Sequence, residues 1–103
     1  MAFDLRISNR AAQQIDLLAA YLKDTLENPQ ACRHFFDEIE ESFNALKENP
    51  YCYKLCLESF LAYKGYRSAK LSSMQYRIIF RIDEDTVFIV GVFHTLENYS
   101  GKI

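Results

Sequence analysis

The sequence predicts an α+β fold: an N-terminal strand and an antiparallel helical hairpin, the hairpin packed on one face of a small, mainly antiparallel four-stranded sheet. Three observations carry this. Apolar residues recur at helical spacing through residues 9–48, with one Asn-Pro pair in the middle and another at the end. From residue 65 onward short apolar runs of strand length follow one another, separated by polar turns. The chain has 103 residues, half of them hydrophobic, which is enough for one core and a single domain over 1–103.

The elements follow in order. Phe3-Asp4-Leu5-Arg6-Ile7 alternates apolar and polar and reads as a first strand. Ser8 is placed to cap a helix, its hydroxyl accepting from the first free N–H groups. That helix runs from Asn9 to about Leu26, with Ala11, Ile15, Leu18 and Leu22 as its apolar stripe. Asn28 caps a second helix and Pro29 fits its first position, where no N–H is needed. The second helix extends to Glu48 with the stripe Cys32, Phe35, Ile39, Phe43 and Leu46, and Asn49-Pro50 stops it. Its other face carries Asp37, Glu38, Glu40, Glu41 and Glu48, a solvated acidic face or a dock for a basic partner. The short connection makes the two helices antiparallel.

Residues 51–64 show no sustained period and read as a partly buried loop with one helical turn. Three strands follow, Gly65–Leu71, Gln75–Ile82 and Thr86–Phe93, joined by Ser72-Ser73-Met74 and Asp83-Glu84-Asp85. On the middle strand Tyr76, Ile78, Phe80 and Ile82 share one face, and Arg77, Ile79 and Arg81 share the other. The last strand is apolar on both faces, so it is expected at the centre with the first strand as its second neighbour. The face bearing Arg77 and Arg81 is expected to stay open.

Composition narrows the function. The longest apolar run spans seven residues, Val87 to Phe93, far short of the roughly 20 a membrane helix needs. The first residues show no secretion signal, and three cysteines with no paired framework suit a reduced, cytoplasmic protein. Three scattered glycines exclude phosphate loops of the Walker or Rossmann type. The net charge of −2 hides an asymmetry: residues 1–50 carry −4, residues 51–103 carry +2, and residues 54–81 alone carry +5.

Several residues are candidates for chemistry. Arg77, with Lys70 and Arg81 beside it, could floor a phosphate pocket, since guanidinium binds two oxygens through parallel N–H groups. A simple three-residue turn at 83–85 would set Arg77 opposite Gly91, where no side chain obstructs. Alternatively these cations are solvated residues that blunt an exposed sheet. His94, ending the last strand, could act as general acid or base, or be a core-edge histidine. The simple turn puts it on the helix-covered face and a single bulge would move it to the open one. Cys52, Cys56 and His94 match no common zinc spacing and lack an evident fourth ligand, so no metal is expected. Glu97, Tyr99 and Lys102 in the tail could complete a site or merely solvate the chain end.

The order of these elements resembles the RelE/ParE superfamily of bacterial toxins from type II toxin–antitoxin systems. The likeness lies in Leu5-Arg6-Ile7-Ser8 with Ala11-Ala12, in Asn28-Pro29 and Glu48-Asn49-Pro50, and in Gly65-Tyr66-Arg67 leading into Lys70-Leu71. It is strongest in Tyr76-Arg77-Ile78-Ile79-Phe80-Arg81-Ile82-Asp83-Glu84, followed by Thr86-Val87-Phe88-Ile89 and Val92-Phe93-His94. The resemblance implies a small cytoplasmic toxin, free of cofactors and neutralised by a cognate antitoxin. The leading expectation is the activity of RelE-like members, which cleave messenger RNA on the ribosome without a metal; the alternatives are a DNA gyrase poison, as ParE-like members are, and a catalytically inactive antitoxin-binding homologue. On the RelE reading Lys70, Arg77, His94 and Tyr99 carry the cleavage, and Lys64, Arg67 and Arg81 contact the RNA. RelE-like sequences also carry a second lysine where this chain has Ser68, and they are usually basic where this chain is acidic.

Overall fold

A computed structural model describes residues 2–103. The chain opens with strand β1 (Asp4–Ile7) and helix α1 (Asn9–Ala20), which continues as a wider π-helical turn over Tyr21–Thr25. Helix α2 (Pro29–Glu48) and the short helix α3 (Ser59–Tyr63) follow. Strands β2 (Arg67–Lys70), β3 (Tyr76–Asp83) and β4 (Thr86–His94) complete the order. Both expected caps are present: Ser8 Oγ accepts from the Ala11 N–H and Asn28 Oδ1 from the Ala31 N–H, each at 3.0 Å. No helix of the described residues is long and apolar enough to cross a membrane.

The sheet order is β1-β4-β3-β2, with β1 parallel to β4 and the other pairs antiparallel. The doubly apolar strand is therefore central, as its composition requires. Between helices and sheet lies the main core: Ala11, Ile15, Phe35, Ile39 and Leu46 meet Ile78, Phe80, Val87 and Ile89. Each fully buried large side chain there contributes about 1.5–3 kcal/mol.

Two expectations need correction. The far face of the sheet is not open. Cys56, Leu61 and Tyr99 fold over Ile79 and Phe93 to form a second, smaller core. Ile79 and Phe93 supply the reason, because an exposed sheet face with two such side chains would leave a large apolar area in water. The β3–β4 turn is also shorter than expected: Asp83 pairs with Thr86, leaving Glu84 and Asp85 as the turn, with Glu84 in the left-handed region at φ 55°. A bulge then skips Val90, since Phe80 pairs with Ile89 and Ile79 with Gly91. Arg77 consequently faces Phe93, not Gly91.

Gly91 is required by the Phe93 ring, which lies over the place a side chain would take. A Cβ there would meet Phe93 Cζ at 2.8 Å and Gln14 Oε1 at 3.1 Å. Phe93 is buried, and Gln14 Oε1 is committed to the Val92 N–H at 2.9 Å, so neither yields easily. Gly91→Ala is expected to cost about 1–3 kcal/mol through overpacking. Urea unfolding should show a lower midpoint at unchanged slope; a wild-type midpoint would mean that the ring has room to move.

Candidate functional site

The strand register decides which of the candidate residues meet. Arg77 and Ser68 lie on the far face of the sheet and form the floor of a cleft of about 570 Å³. Its roof is the segment 52–58, and its far wall is Thr95, Glu97 and Tyr99. The roof is held by backbone bonds to β2 and the residue before it, the Ser68 N–H donating to the Lys54 carbonyl at 3.1 Å and the Cys56 N–H to the Tyr66 carbonyl at 2.9 Å. The half-buried Arg77 guanidinium donates through Nη1 to Ser68 Oγ at 3.2 Å.

Tyr99 also lines this cleft, but as part of its packing. Its ring stacks on Phe93 with centroids 5.6 Å apart, and its hydroxyl donates to Glu58 Oε2 at 3.2 Å. Burial, reinforced by the neighbouring Cys56 and Glu58, pushes the phenol well above its ordinary range, so it stays protonated. Burial likewise raises the Cys56 thiol, which keeps it an unreactive wall of the cleft.

The other candidates lie elsewhere. Lys70 pairs with Arg77 across the ladder, but its ammonium turns to the carbonyls of Leu71 and Met74 at 3.2 and 3.4 Å. His94 is opposite Tyr76 and meets its ring edge-on at 5.5 Å, on the helix-covered side. Its Nδ1 accepts from the Leu96 N–H at 3.1 Å. The shorter turn and the bulge each move the register by one residue in the same direction; the total of two preserves the alternation of faces, so His94 stays on the helix side. The anticipated convergence of Lys70, Arg77 and His94 on one anion is therefore absent. Cys56 and His94 fall on opposite faces, which also separates the zinc trio.

The remaining basic residues are dispersed. Arg67 points to the helix side, donating to the Tyr53 carbonyl at 2.6 Å with its guanidinium 5.3 Å from the Tyr51 ring centroid. Arg81 sits over the Phe88 ring at 4.4 Å and near Asp83 at 3.9 Å, away from the cleft. Lys64 is exposed after α3. Sequence reading missed Ser68, Glu58 and the 52–58 roof as parts of the cleft, because residues 51–64 carry no periodic signal to place them.

One further cluster lies away from the cleft. Glu38, expected on a solvated face, is buried and accepts from the Ser73 and Met74 N–H groups at 2.9 and 3.4 Å and from the Ser73 hydroxyl. His34 Nε2 lies 2.5 Å from Glu38 Oε2 and 2.7 Å from Ser73 Oγ. This clasp ties α2 to the β2–β3 turn.

A family model described as the ParE toxin of the type II toxin–antitoxin system parDE matches residues 5–99. Among solved structures, a chain of the chromosomal ParDE system of P. aeruginosa is similar at TM-score 0.75 and 16% identity, covering 90% of this chain and 96% of that one. A chain of the RelBE2 toxin–antitoxin complex of Mycobacterium tuberculosis is similar at TM-score 0.63 and 23% identity, covering 91% and 99%. A doubly substituted E. coli toxin RelE in the free state is similar at TM-score 0.63 and 21% identity, covering 99% and 93%. At these identities the structural likenesses speak to the fold. Among proteins of curated function none matches.

Proposed function

The chain belongs to the ParE toxins of type II toxin–antitoxin systems, and from that membership we propose that it poisons DNA gyrase by protein contact and is neutralised by a cognate antitoxin. One observation carries the choice over messenger RNA cleavage. The cleft around Arg77 holds as many carboxylates as cations, Glu58 and Glu97 against Lys54 and Arg77, and His94 lies on the other side of the sheet.

Cleaving RNA through the ribose 2′-OH needs a group to take that proton, a positive site for the extra phosphate charge and an acid for the leaving oxygen. Arg77 could supply the second. Tyr99, held protonated and bonded to Glu58, is a poor base, and the imidazole is out of reach. A charge-neutral cleft also gives little attraction to a polyanion. Surface apolar groups favour a protein target: Leu57, Tyr63 and Leu96 are each about 90% exposed or more.

Two assays with the purified chain test this. Gyrase supercoiling is expected to be inhibited by the wild type and equally by His94→Ala. A 5′-end-mapped message on purified ribosomes is expected to remain intact. Discrete cleavage of that message, with normal supercoiling, would overturn the reading.

A further inference from the structure

The two edges of the sheet are finished differently. Along β2 the chain closes its own edge, through the Lys54 and Cys56 bonds of the roof and a bridge between Leu55 and Arg67. β1 has β4 on one side and, among the described residues, no strand on the other. Asp4 and Ser8 aim their N–H groups at the Asp85 and Ile89 carbonyls, at 2.9 and 3.0 Å. By alternation the N–H and C=O of Leu5 and the N–H of Ile7 point outward. The Phe3 N–H also points outward and donates to the Lys47 carbonyl at 2.7 Å, where the end of α2 limits the open stretch. Beside residues 3–6 lies a groove of about 560 Å³ with Lys47 as its end wall. An open edge of this kind is a template for another strand.

We propose that β1 pairs antiparallel with β1 of a second copy of this chain, about a two-fold axis at Leu5, joining two four-stranded sheets into one of eight strands. The pairing is independent of the toxin's target. The strand's own sequence selects a second copy. In an antiparallel pair centred on Leu5, the two Leu5 residues exchange N–H···O bonds, and each Ile7 N–H meets the Phe3 carbonyl of the other copy. The same register sets Asp4 opposite Arg6, twice over by symmetry. Asp4 and Arg6 are exposed, and among the described residues neither forms an ion pair. Opposite charges at facing positions attract and like charges repel. Sliding one copy by two residues would bring Arg6 onto Arg6 or Asp4 onto Asp4, so the charges favour this register over both neighbours.

The apolar side of the strand agrees. Phe3, Leu5 and Ile7 share one face, on which Phe3 and Leu5 pack against the main core. Ile7 ends that row 43% exposed, and in the pair it lies opposite Phe3 of the other copy. The contact uses the same surface on both copies, so it closes at a dimer.

Sedimentation equilibrium of the full chain over a concentration series, with amide exchange read at both ends of the series, tests this. The wild type is expected to pass from monomer to dimer as concentration rises, and exchange of the Leu5 and Ile7 N–H groups is expected to slow with it. Asp4→Arg sets two cations face to face, and Arg6→Asp sets two anions face to face. Each variant alone should self-associate about tenfold more weakly than the wild type, or worse. In their equimolar mixture every facing pair is again of opposite charge, so the mixture should dimerise where neither component does. A chain that is monomeric throughout, a dimer that tolerates both substitutions, or a mixture that stays monomeric would overturn the proposal. So would a Leu5 amide whose exchange does not change with concentration.

Discussion

Glu38→Gln is expected to lower stability at neutral pH by about 3 kcal/mol and to remove this residue's contribution to acid sensitivity. Burial by itself would raise the Glu38 carboxyl. The Ser73 hydroxyl and N–H, the Met74 N–H and the Ser72 hydroxyl outweigh burial and bring it from 4.5 down to about 2. An unfolded chain takes up this proton near 4.5 and the folded chain near 2, so between these values the unfolded state binds more protons and stability rises with pH. The contribution is complete above about pH 5 and lost as pH falls towards 2. For a domain with about 5–15 kcal/mol in total, this is a large share. Urea midpoints at pH 6, 4 and 2.5 should show wild type and Glu38→Gln far apart at pH 6 and close together at pH 2.5. A gap that stays constant with pH would show that the clasp does not depend on charge.

Tyr99→Ala should cost about 3–5 kcal/mol, the range for emptying a buried aromatic site. The ring closes the second core by stacking on Phe93 beside Cys56 and Leu61, all of which would face water once it is gone. Tyr99→Phe keeps the ring and loses the bond to Glu58, so its cost should be only about 0.5–1.5 kcal/mol. Thermal unfolding of the pair separates the two contributions: for a domain of this size each kcal/mol moves Tm by roughly 4–8 °C. Equal Tm losses for Ala and Phe would mean that the hydroxyl, not the packing, holds the tail in place.

Both residues illustrate where sequence reading stopped. Glu38 sits at a helical position that alternates with Asp37 and Glu40, and nothing local distinguishes it from them. Its burial depends on Ser73, 35 residues away, arriving above it. Tyr99 belongs to a polar tail with no period, yet it is fixed by Phe93 and by Glu58, 41 residues earlier. The site residues Ser68 and Glu58 were illegible for the same reason: each gains its meaning from a chain crossing over it.

The sequence by itself determined the strand–hairpin–sheet order, the Ser8 and Asn28 caps, the ends of both long helices and the central place of the last strand. These follow from periodicity, capping chemistry and the burial of a doubly apolar strand, all of which act over a few residues. Only the tertiary structure decided which face His94 occupies, that the far face is roofed, and that Arg77 meets Ser68 at the floor of a cleft. A strand's facing is a parity, so one turn residue lost at 84–85 and one bulge residue gained at Val90 set it jointly. The roof and the clasp depend on contacts between distant segments, whose free energy exists only once the sheet is assembled.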